Sequence, residues 1–394
     1  MNIRKITFGN FKSLYNAAFE PGKVNVFIGA NGSGKTTILE AIGLLSAAMT
    51  DRVDSSSLQR KGVRLSIPSL YKSSFKDLKR QRSMIDLSLE WEDDCCTDKF
   101  RYDVHLTTPT DTDYWKYHSE AFLQNGEKIW GRSNASQQQS NSYIGFFLID
   151  NDPELTTGRK IAEAFSSYGI FQPNTLTLRG TIPDPNQVSP VGLNGGRLAE
   201  AIRTLIHEND GDLFFGNLYM DDILDMIDWA SDISVDTPKK TTINANIPTT
   251  RQVIEFTDRY MKDTARFTGY DASEGALYVL FMLTLAMHPM GPSIFSVDSF
   301  DHALNPRLAK KMIQVFCEQI IQNNKHVFLT THNPLVLDGL DLQNDDIRLF
   351  AVDRDSNGYA QIRRISVSQE LIDEGLPLSR LWISGRLGGV PSLL

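Results

Sequence analysis

The sequence predicts an α/β protein in which a parallel sheet binds a nucleotide, with an antiparallel β arm and a helical lobe added to that sheet. Three observations predict this class. Residues 29–36 have the phosphate-loop spacing G-x-x-x-x-G-K-[ST]. Apolar runs of strand length, 294–297 and 326–330, occur late in the chain and end in polar residues. Helical patterns separate these runs, and such alternation is typical of a parallel sheet.

The phosphate loop stands in the context that its chemistry requires. The β-branched and aromatic run 24–28 precedes it, and a helical pattern follows it. Glycines let the backbone approach phosphates closely, and the N-terminal end of a helix attracts anions. We expect Lys35 to reach the β and γ phosphates of ATP and the Thr36 hydroxyl to bind Mg²⁺. Further nucleotide contacts are expected from Asn31, Gly32, Ser33, Gly34 and Thr37.

Composition bounds the remaining possibilities. The 394 residues are 41% hydrophobic, which is enough for a large core in one domain with lobes or in two domains. The net charge of −8 argues against a protein that coats nucleic acid through a basic surface. The three cysteines form neither a disulfide framework nor a metal-spaced set. No secretory signal is recognised, and the apolar run 275–287 is shorter than the ~20 residues of a membrane helix, so we expect a cytoplasmic protein without membrane contact.

Residues 51–82 form the conspicuous basic stretch of this acidic chain. Two interpretations stay open: a solvated excursion, or a surface that contacts nucleic acid or a partner protein. Its basic residues are Arg52, Arg60, Lys61, Arg64, Lys72, Lys76, Lys79, Arg80 and Arg82.

The remaining pattern organises the chain into lobes. Alternating segments at 85–92, 100–107 and 119–130, with a turn at 124–126, predict an antiparallel arm that projects from the first lobe. A mainly helical pattern follows from 156 to 261, and strands and helices resume after 275. We therefore expect one head spanning 1–394, with an N-terminal nucleotide-binding half and β arm (1–150), a helical lobe (151–270) and a C-terminal half (271–394).

The C-terminal half is predicted to complete the site. The apolar strand 294–297 ends in Asp298, which places a carboxylate where ligands bind in open α/β sheets and where Mg²⁺ is held. The next strand ends in Thr331-His332, and we expect His332 to lie near the γ-phosphate. Ser273-Glu274-Gly275 precedes another helix, and Ser273 alone is explained by N-capping.

Taken together, these motifs resemble those of the ATP-binding-cassette (ABC) ATPases. The phosphate loop, Ser273-Glu274-Gly275, the strand ending in Asp298, Leu304-Asn305-Pro306 and Thr331-His332 follow in that family's order. More narrowly, the chain resembles the prokaryotic AAA_21/AAA_15 ATPases related to RecF, to SMC heads and to OLD proteins. Further support comes from the opening Ile3-Arg4-Lys5-Ile6 with Phe11-Lys12-Ser13-Leu14, and from the closing segment 378–385.

The resemblance implies both a fold and an assembly. The fold is the P-loop NTPase of the ABC ATPase head type, α/β with a mixed sheet. The assembly is a head-to-head homodimer in which Ser273 and Gly275 of one subunit contact the γ-phosphate that Lys35 of the other subunit holds. ATP would then stabilise the closed dimer, and hydrolysis would time its opening.

The sequence departs from this family at the position that matters for hydrolysis. Relatives carry Glu after the Walker B aspartate, and here that residue is Ser299, a poor general base. Asp301 is the nearby carboxylate that could replace the glutamate, and Asn305 replaces a common histidine. The metal-contacting glutamine of many relatives is not assigned from the sequence. We expect firm ATP binding and slow or partner-stimulated hydrolysis.

Three functions remain open at this point. The first is an ATPase that controls a separate nuclease or toxin in bacterial anti-phage defence, which follows by family analogy. The second is a RecF- or SMC-like ATPase of DNA repair or DNA clamping, which would use residues 51–82. The third is a scaffold that binds ATP without hydrolysing it. Asp353-Arg354-Asp355 resembles a nuclease D-x-D motif superficially, but the Ser356-Asn357-Gly358 turn favours a plain hairpin.

Overall fold

The computed structural model describes residues 2–50, 52–93, 98–110, 112–132, 140–142, 144, 156–262, 266–366 and 375–390. An antiparallel sheet is made of β1 (Asn2–Gly9), β2 (Ala17–Phe19), β4 (Met84–Glu92), β5 (Lys99–Thr107), β6 (Lys116–Gln124) and β7 (Glu127–Arg132). Its strand order is β2-β1-β4-β5-β6-β7. The predicted strands of the N-terminal half are confirmed, including the turn at 125–126 between β6 and β7.

A second, mixed sheet carries the phosphate loop. It is made of β3 (Val24–Ile28), β8 (Ile170–Phe171), β15 (Ile294–Val297), β16 (His326–Thr330), β17 (Ile347–Arg354) and β18 (Ala360–Ile365). The strand order is β18-β17-β3-β16-β15-β8, with β18 antiparallel to β17 and the other strands parallel. The β17–β18 hairpin confirms the plain turn predicted at 356–358.

The helices cover the mixed sheet on both faces. They are α1 (Lys35–Thr50), α2 (Ser55–Arg60), α3 (Pro68–Tyr71), α4 (Thr156–Ser166), α5 (Thr175–Leu178), α6 (Leu198–Leu205), α7 (Met220–Met226), α8 (Glu274–Met287), α9 (Pro306–Gln322), α10 (Pro334–Leu337) and α11 (Leu378–Ile383). Along β3 the side chains alternate between two cores. Val24, Val26 and Ile28 enter one of them, and Phe27 enters the other. The phosphate-loop strand is therefore fixed from both sides.

Helix α1 lies between the two large sheets, which corrects the prediction of a projecting arm. Nearly all of its side chains are buried. The hydroxyls of Tyr102 on β5 and Tyr117 on β6 both donate to the carbonyl of Ala48 near the end of α1. Because the inward side chains of these strands are large and apolar, the antiparallel strands pack as a layer on α1.

Helix α8 confirms that the apolar run 275–287 is a core helix, since every residue from Ala276 to Met287 is buried. Its C-terminal end is held by Lys325, whose ammonium donates to the carbonyls of Leu285 and His288. Of the helices described, none is both long and apolar enough to cross a membrane.

The prediction of a mainly helical secondary structure from 156 to 261 is wrong. This region contains nearly as much strand as helix, in two small antiparallel sheets, β11-β10-β9 and β12-β13-β14. Their strands are β9 (Ile206–Asn209), β10 (Asp212–Phe215), β11 (Leu218–Tyr219), β12 (Ala230–Asp236), β13 (Val253–Asp258) and β14 (Arg266–Thr268). Asp210 and Gly211 have φ of 52° and 90° and form a two-residue turn between β9 and β10. Asp-Gly is a strong hairpin signal that the helical interpretation overlooked.

Two other parts of the prediction remain untested. The cysteine pair at 95–96 and most of the polar loop at 136–140 lie outside the described residues. The division of the head at residues 150 and 270 stays a prediction.

Candidate active site

The phosphate loop connects β3 to α1 and contains two glycines in backbone conformations that other residues avoid. Gly32 has φ of 76° and Gly34 has φ of 118°. A Cβ atom at Gly34 would lie 2.9 Å from Ser13 Oγ and 3.1 Å from Ala360 Cβ. The loop therefore requires glycine at position 34 for both conformation and space, while Asn31 and Gly32 stay exposed at its tip.

Lys35 lies beneath the loop and holds it together. Its ammonium donates to the carbonyl oxygens of Gly29 at 2.8 Å and Ala30 at 3.1 Å. Burial lowers the pKa of Lys35, and the nearby carboxylates of Asp298 and Asp301 partly oppose that effect. The ammonium is thus positioned inside the loop, where phosphate oxygens compete with its carbonyl partners.

Asp298 accepts hydrogen bonds from three different elements. Thr36 Oγ1 donates to it at 3.0 Å, and Thr330 Oγ1 donates at 2.5 Å. Gln172 Nε2 donates at 2.8 Å from the end of β8. This arrangement gathers a hydroxyl from α1, a carboxylate from β15 and an amide from β8 at one edge of the sheet, as expected for the carboxyl ends of parallel strands.

The residues present fit a nucleotide with Mg²⁺. A threonine hydroxyl beside an aspartate is an all-oxygen donor pair, and Mg²⁺ typically takes one or two such ligands and fills its other positions with water and phosphate. The hydroxyls of Ser13 and Ser33 are buried beside the loop without a hydrogen-bond partner in the described structure. Thr37 lies in the first turn of α1, and backbone N–H groups there are open to an anion.

The segment after β15 contains Ser299 and Asp301, the residue predicted to replace the missing glutamate. Ser299 has φ of 63°, and its N–H donates to Thr330 Oγ1 at 2.8 Å. Asp301 Oδ1 accepts from Thr331 Oγ1 at 2.7 Å and from the N–H of His332 at 3.1 Å. The second oxygen of Asp301 has no such contact among the described residues. Asp301 therefore anchors the histidine turn and keeps one carboxylate oxygen available.

His332 lies exposed at the end of β16, on the same side of the sheet as Lys35. Partial burial lowers the pKa of His332, and the Lys35 ammonium lowers it further, while Asp301 and Asp298 oppose the change. The net effect favours the neutral form of the imidazole.

Ser273 and Gly275 occupy a separate place in the same chain. Ser273 is exposed at the N-cap of α8, and its hydroxyl accepts from the N–H of Ala276 and from Trp229 Nε1, each at 3.3 Å. The nearest neighbour of a Cβ at Gly275 would be the carbonyl of Ala303. Both residues line a cleft of about 730 Å³ between α7, α8 and α9. The structure thus brings Lys35, Thr36, Asp298, Asp301 and His332 together and leaves this pair apart from them.

Two residues that contact Asp298 were not predicted from the sequence. Gln172 ends the two-residue strand β8, which is too short to be recognised by periodicity. The sequence Ile170-Phe171-Gln172-Pro173 contains the usable signal, an apolar pair that ends in an amide and a proline. Thr330 lies in a run that the sequence predicts as a buried strand. In the structure its hydroxyl accepts from the N–H of Ser299 and donates to Asp298.

A buried ion-pair network lies one turn beyond Thr36. Glu40 is fully buried in α1 and binds Lys12 Nζ at 2.6 Å and Arg64 Nε at 2.7 Å. Lys12 belongs to the Phe11-Lys12-Ser13-Leu14 segment and has φ of 49°. The network therefore connects α1 to the opening segment and to the basic stretch.

The C-terminal segment reaches the phosphate loop from the other side. The N–H of Gly389 donates to Asp353 Oδ1 at 2.9 Å, and a Cβ atom at Gly389 would lie 3.2 Å from the Cα of Gly29. Arg354 Nε donates to the carbonyl of Gly32 at 2.9 Å. Asp353 and Arg354 thus connect β17 to the C-terminal segment and to the phosphate loop, within the hairpin predicted at 356–358.

Two family models match the chain. The AAA_15 model, described as "AAA ATPase domain", matches residues 1–144. The AAA_21 model, described as "AAA domain, putative AbiEii toxin, Type IV TA system", matches residues 189–338. The first match contains the phosphate loop, and the second contains Ser273, Asp298 and His332.

Known proteins give two further likenesses. The chain is 36% identical over 76 residues to the DNA replication and repair protein RecF of Phocaeicola vulgatus, covering 18% of this chain and 20% of that protein. It is 44% identical over 55 residues to RecF of Renibacterium salmoninarum, covering 14% of each. A crystal structure of an SMC head bound to the C-terminal winged-helix domain of ScpA matches with a TM-score of 0.54 at 11% identity, over 94% of this chain and 100% of that one. The RecF matches span a fifth or less of those proteins, and the SMC likeness concerns the fold.

The phosphate loop and the Thr36–Asp298 pair lie together at one edge of the mixed sheet, which is the arrangement of a P-loop nucleotide site, and the fold is similar to that of an SMC head. The phosphate loop lies within the AAA_15 match, and Asp298 and His332 lie within the AAA_21 match. The chain is therefore similar to ABC-type AAA ATPases, with short stretches similar to RecF and a fold similar to that of an SMC head.

Proposed function

We propose that two copies of this chain close head to head around ATP and Mg²⁺, and that the closed dimer controls a separately encoded effector, a nuclease or toxin, in anti-phage defence. ATP would be held by Lys35 of one subunit and contacted by Ser273 and Gly275 of the other. A nucleotide that touches both subunits stabilises the closed state by its higher affinity for that state.

The observation that carries this proposal is the exposure of Ser273 at the N-terminus of α8. Its described partners are Trp229 and Ala276, and the cleft it lines does not include the phosphate loop. Helix α8 is otherwise buried, so its N-terminus is a rigid, positively polarised end that faces outward. Such an end is suited to the phosphate of a second molecule.

The chain's own residues have distinct roles in the proposed reaction. The loop N–H groups and Lys35 bind the phosphates, and Thr36 and Asp298 would hold Mg²⁺, with Gln172 orienting the Asp298 carboxylate. Mg²⁺, when bound, neutralises charge on the phosphates. The free oxygen of Asp301 accepts the proton of the attacking water, and neutral His332 lies beside the γ-phosphate.

Turnover by this arrangement is proposed to be slow or stimulated by a partner. Ser299 stands where a glutamate would act as base, and Asp301 Oδ1 is already engaged by the histidine turn. Proper placement of the remaining oxygen then depends on dimer closure or on a bound partner.

The effector role rests on two supports. Asp353 and Asp355, the carboxylates of the D-x-D pattern, accept hydrogen bonds from the N–H groups of Gly389 and Asn357, so we assign a reaction on a target to another polypeptide. The name of the AAA_21 family, which matches residues 189–338, includes a toxin system. Plating efficiency of phage on cells that express the chain with its genomic neighbours tests this role, with Lys35→Ala as the inactive control.

The dimer and the chemistry are tested together in vitro. Light scattering should report a dimer with ATP and Mg²⁺ and a monomer without them, and phosphate release should be lost in Lys35→Ala. Ser273→Arg should prevent the dimer yet bind ATP normally. Ser293→Arg is the matched control, because Ser293 is exposed before β15 at the opposite edge of the sheet. A Ser273→Arg protein that dimerises like the wild type would refute the proposed contact.

A second function is favoured by the RecF likeness and the basic stretch: clamping of DNA during repair. If the basic residues bind phosphates, the logarithm of DNA affinity falls with the logarithm of salt concentration. The triple reversal Lys79→Glu, Arg80→Glu and Arg82→Glu should then abolish DNA binding. Unchanged binding would leave the effector-controlling function ahead, and tight ATP binding without phosphate release would support a scaffold.

A further inference from the structure

The cleft that contains Ser273 and Gly275 carries an excess of negative charge. Its lining includes carboxylates of Asp222, Asp225, Asp228 and Glu318 and cations of Arg307 and Lys311. The three aspartates are exposed and form no ion pair within the described part of the chain. Apolar lining comes from Leu218, Met226, Ile227, Leu308 and Val315. We call this surface the acidic cleft.

A complementary surface borders the phosphate loop. We call residues 64–80 the basic rim. At one end Arg64 pairs with Glu40 of α1. Toward the other end, Phe75 packs against Tyr359, and Tyr359 donates to Asp77 at 2.5 Å. Tyr359 lies on the hairpin of β17, whose Arg354 binds Gly32. One end of the rim therefore contacts the helix that follows the phosphate loop, and the other end contacts the hairpin that binds the loop.

The basic rim is both charged and apolar. Lys76, Lys79 and Arg80 are exposed and have no ion pair among the described residues. Leu65, Ile67 and Leu70 are 49%, 62% and 61% exposed. Clustered apolar side chains of this exposure mark a contact surface.

We propose that the basic rim of one copy docks into the acidic cleft of a second copy. The inference rests on the proposed ATP-bridged dimer. In that dimer, Ser273 and Gly275 in the cleft of one copy contact the γ-phosphate of the ATP that the phosphate loop of the other copy holds, and the rim of that other copy lies near its loop. A two-fold axis makes the contact occur twice, rim to cleft and cleft to rim. Opposite charges steer and orient the two copies, and the apolar residues of rim and cleft bury each other.

A second copy fits these surfaces better than DNA does. Phosphates would satisfy the lysines and the arginine of the rim but would leave Leu65, Ile67 and Leu70 against water. The cleft offers carboxylates to the cations of the rim and an apolar lining to its exposed apolar side chains, within one molecule of net charge −8.

Two variants with reversed charge test the docking. The cleft variant carries Asp222→Lys and Asp225→Lys, and the rim variant carries Lys76→Glu and Lys79→Glu. Each variant alone places like charges against each other at both contacts, so its ATP-dependent dimer should weaken about tenfold or more. An equimolar mixture places opposite charges at both contacts, so a mixed dimer of wild-type affinity should form. The combined four-substitution chain should dimerise with itself for the same reason.

The outcomes separate this inference from the proposed function. Normal ATP binding by both variants as monomers establishes that they are folded. If the wild type dimerises with ATP and the variants do so equally well, or if the mixture fails to recover, the docking is refuted while the ATP-bridged dimer stands. If the wild type stays monomeric with ATP, the proposed function itself fails. A rim variant that loses DNA binding and dimerises normally would overturn the docking in favour of DNA.

Discussion

Asp301 bears both of its hydrogen bonds on a single carboxylate oxygen. Thr331 Oγ1 and the N–H of His332 donate to Oδ1, so an asparagine could preserve both contacts through its amide oxygen while losing the capacity to accept a proton. The anchoring role and the proposed role as base are therefore separable by substitution.

We predict that Asp301→Asn lowers ATP turnover about 100-fold or more, because general-base catalysis typically contributes that much, while ATP affinity and the structure of the turn are kept. Single-turnover phosphate release and nucleotide titration measure the two effects. Asp301→Ala, which also removes the anchor, should reduce ATP affinity as well. Turnover that survives in Asp301→Asn and is lost in Asp301→Ala would assign Asp301 to positioning alone.

At this scale the sequence predicted the positions of Lys35, Thr36 and Asp298, since spacing and strand ends fix them. It could not predict Gln172, whose amide reaches Asp298 from a strand paired with β15 more than 100 residues later in the chain. It also could not show that Asp301 binds the turn of His332. Both contacts depend on which strands become neighbours.

Among the elements, α1 carries a buried carboxylate that is paired with two cations. Glu40 is fully buried between Lys12 and Arg64. Breaking a buried ion pair leaves an uncompensated charge, which destabilises far more than breaking a pair at the surface.

We predict that Glu40→Gln lowers the free energy of unfolding by about 3 kcal/mol, because Lys12 loses its buried partner. Chemical denaturation measures the change. Glu92→Gln is the matched control, since its pair with Arg4 at 2.6 Å is exposed and such pairs contribute less than about 1 kcal/mol. Equal effects of the two substitutions would show that the Glu40 network is not a structural anchor.

Helix α8 provides a prediction about pH. Burial lowers the pKa of Lys325 from its ordinary value of 10.5 to about 8. Between these values the unfolded chain binds the proton and the folded chain does not, so stability rises as pH increases from about 8 toward 10.5. Lys325→Met should reduce this slope by up to about 1.4 kcal/mol per pH unit.

Denaturation midpoints at pH 8, 9 and 10 measure the slope, and Lys310→Met, at an exposed position of α9, is the control. Lys61, whose pKa burial and the nearby Arg60 also lower to about 8, preserves part of the slope in both variants. An unchanged slope in Lys325→Met would mean that the buried amine stays charged.

The continuous apolar runs were predicted closely, as β15 and β16 show, whereas the lobe that precedes them in the chain was not. Short strands such as β9 and β10 carry too few residues to display alternation, so the Asp210–Gly211 turn had to be recognised by itself. The antiparallel strands were identified correctly. Whether they project from the head or pack against it depends on α1, which is buried on all its faces, and that burial arises only from the tertiary structure.

For the whole molecule, an ATP-bridged dimer links stability to protein concentration. A ligand that binds only the folded, closed pair stabilises it by mass action. We predict that the melting temperature with ATP and Mg²⁺ rises with protein concentration, and that without nucleotide it does not. Calorimetry across a hundredfold concentration range measures this, with Lys35→Ala as the control. A melting temperature independent of concentration in both conditions would contradict the dimer.

The pairing of β3 also constrains how the protein is made. Asn25 and Val327 are hydrogen-bonded neighbours in the mixed sheet, although 302 positions separate them. During synthesis, the antiparallel strands β4 to β7 can pair as they emerge, because each follows its neighbour in the chain. The phosphate loop emerges early but gains its flanking strands late. A nascent chain therefore cannot hold ATP firmly, and nucleotide binding reports that the C-terminal third has folded.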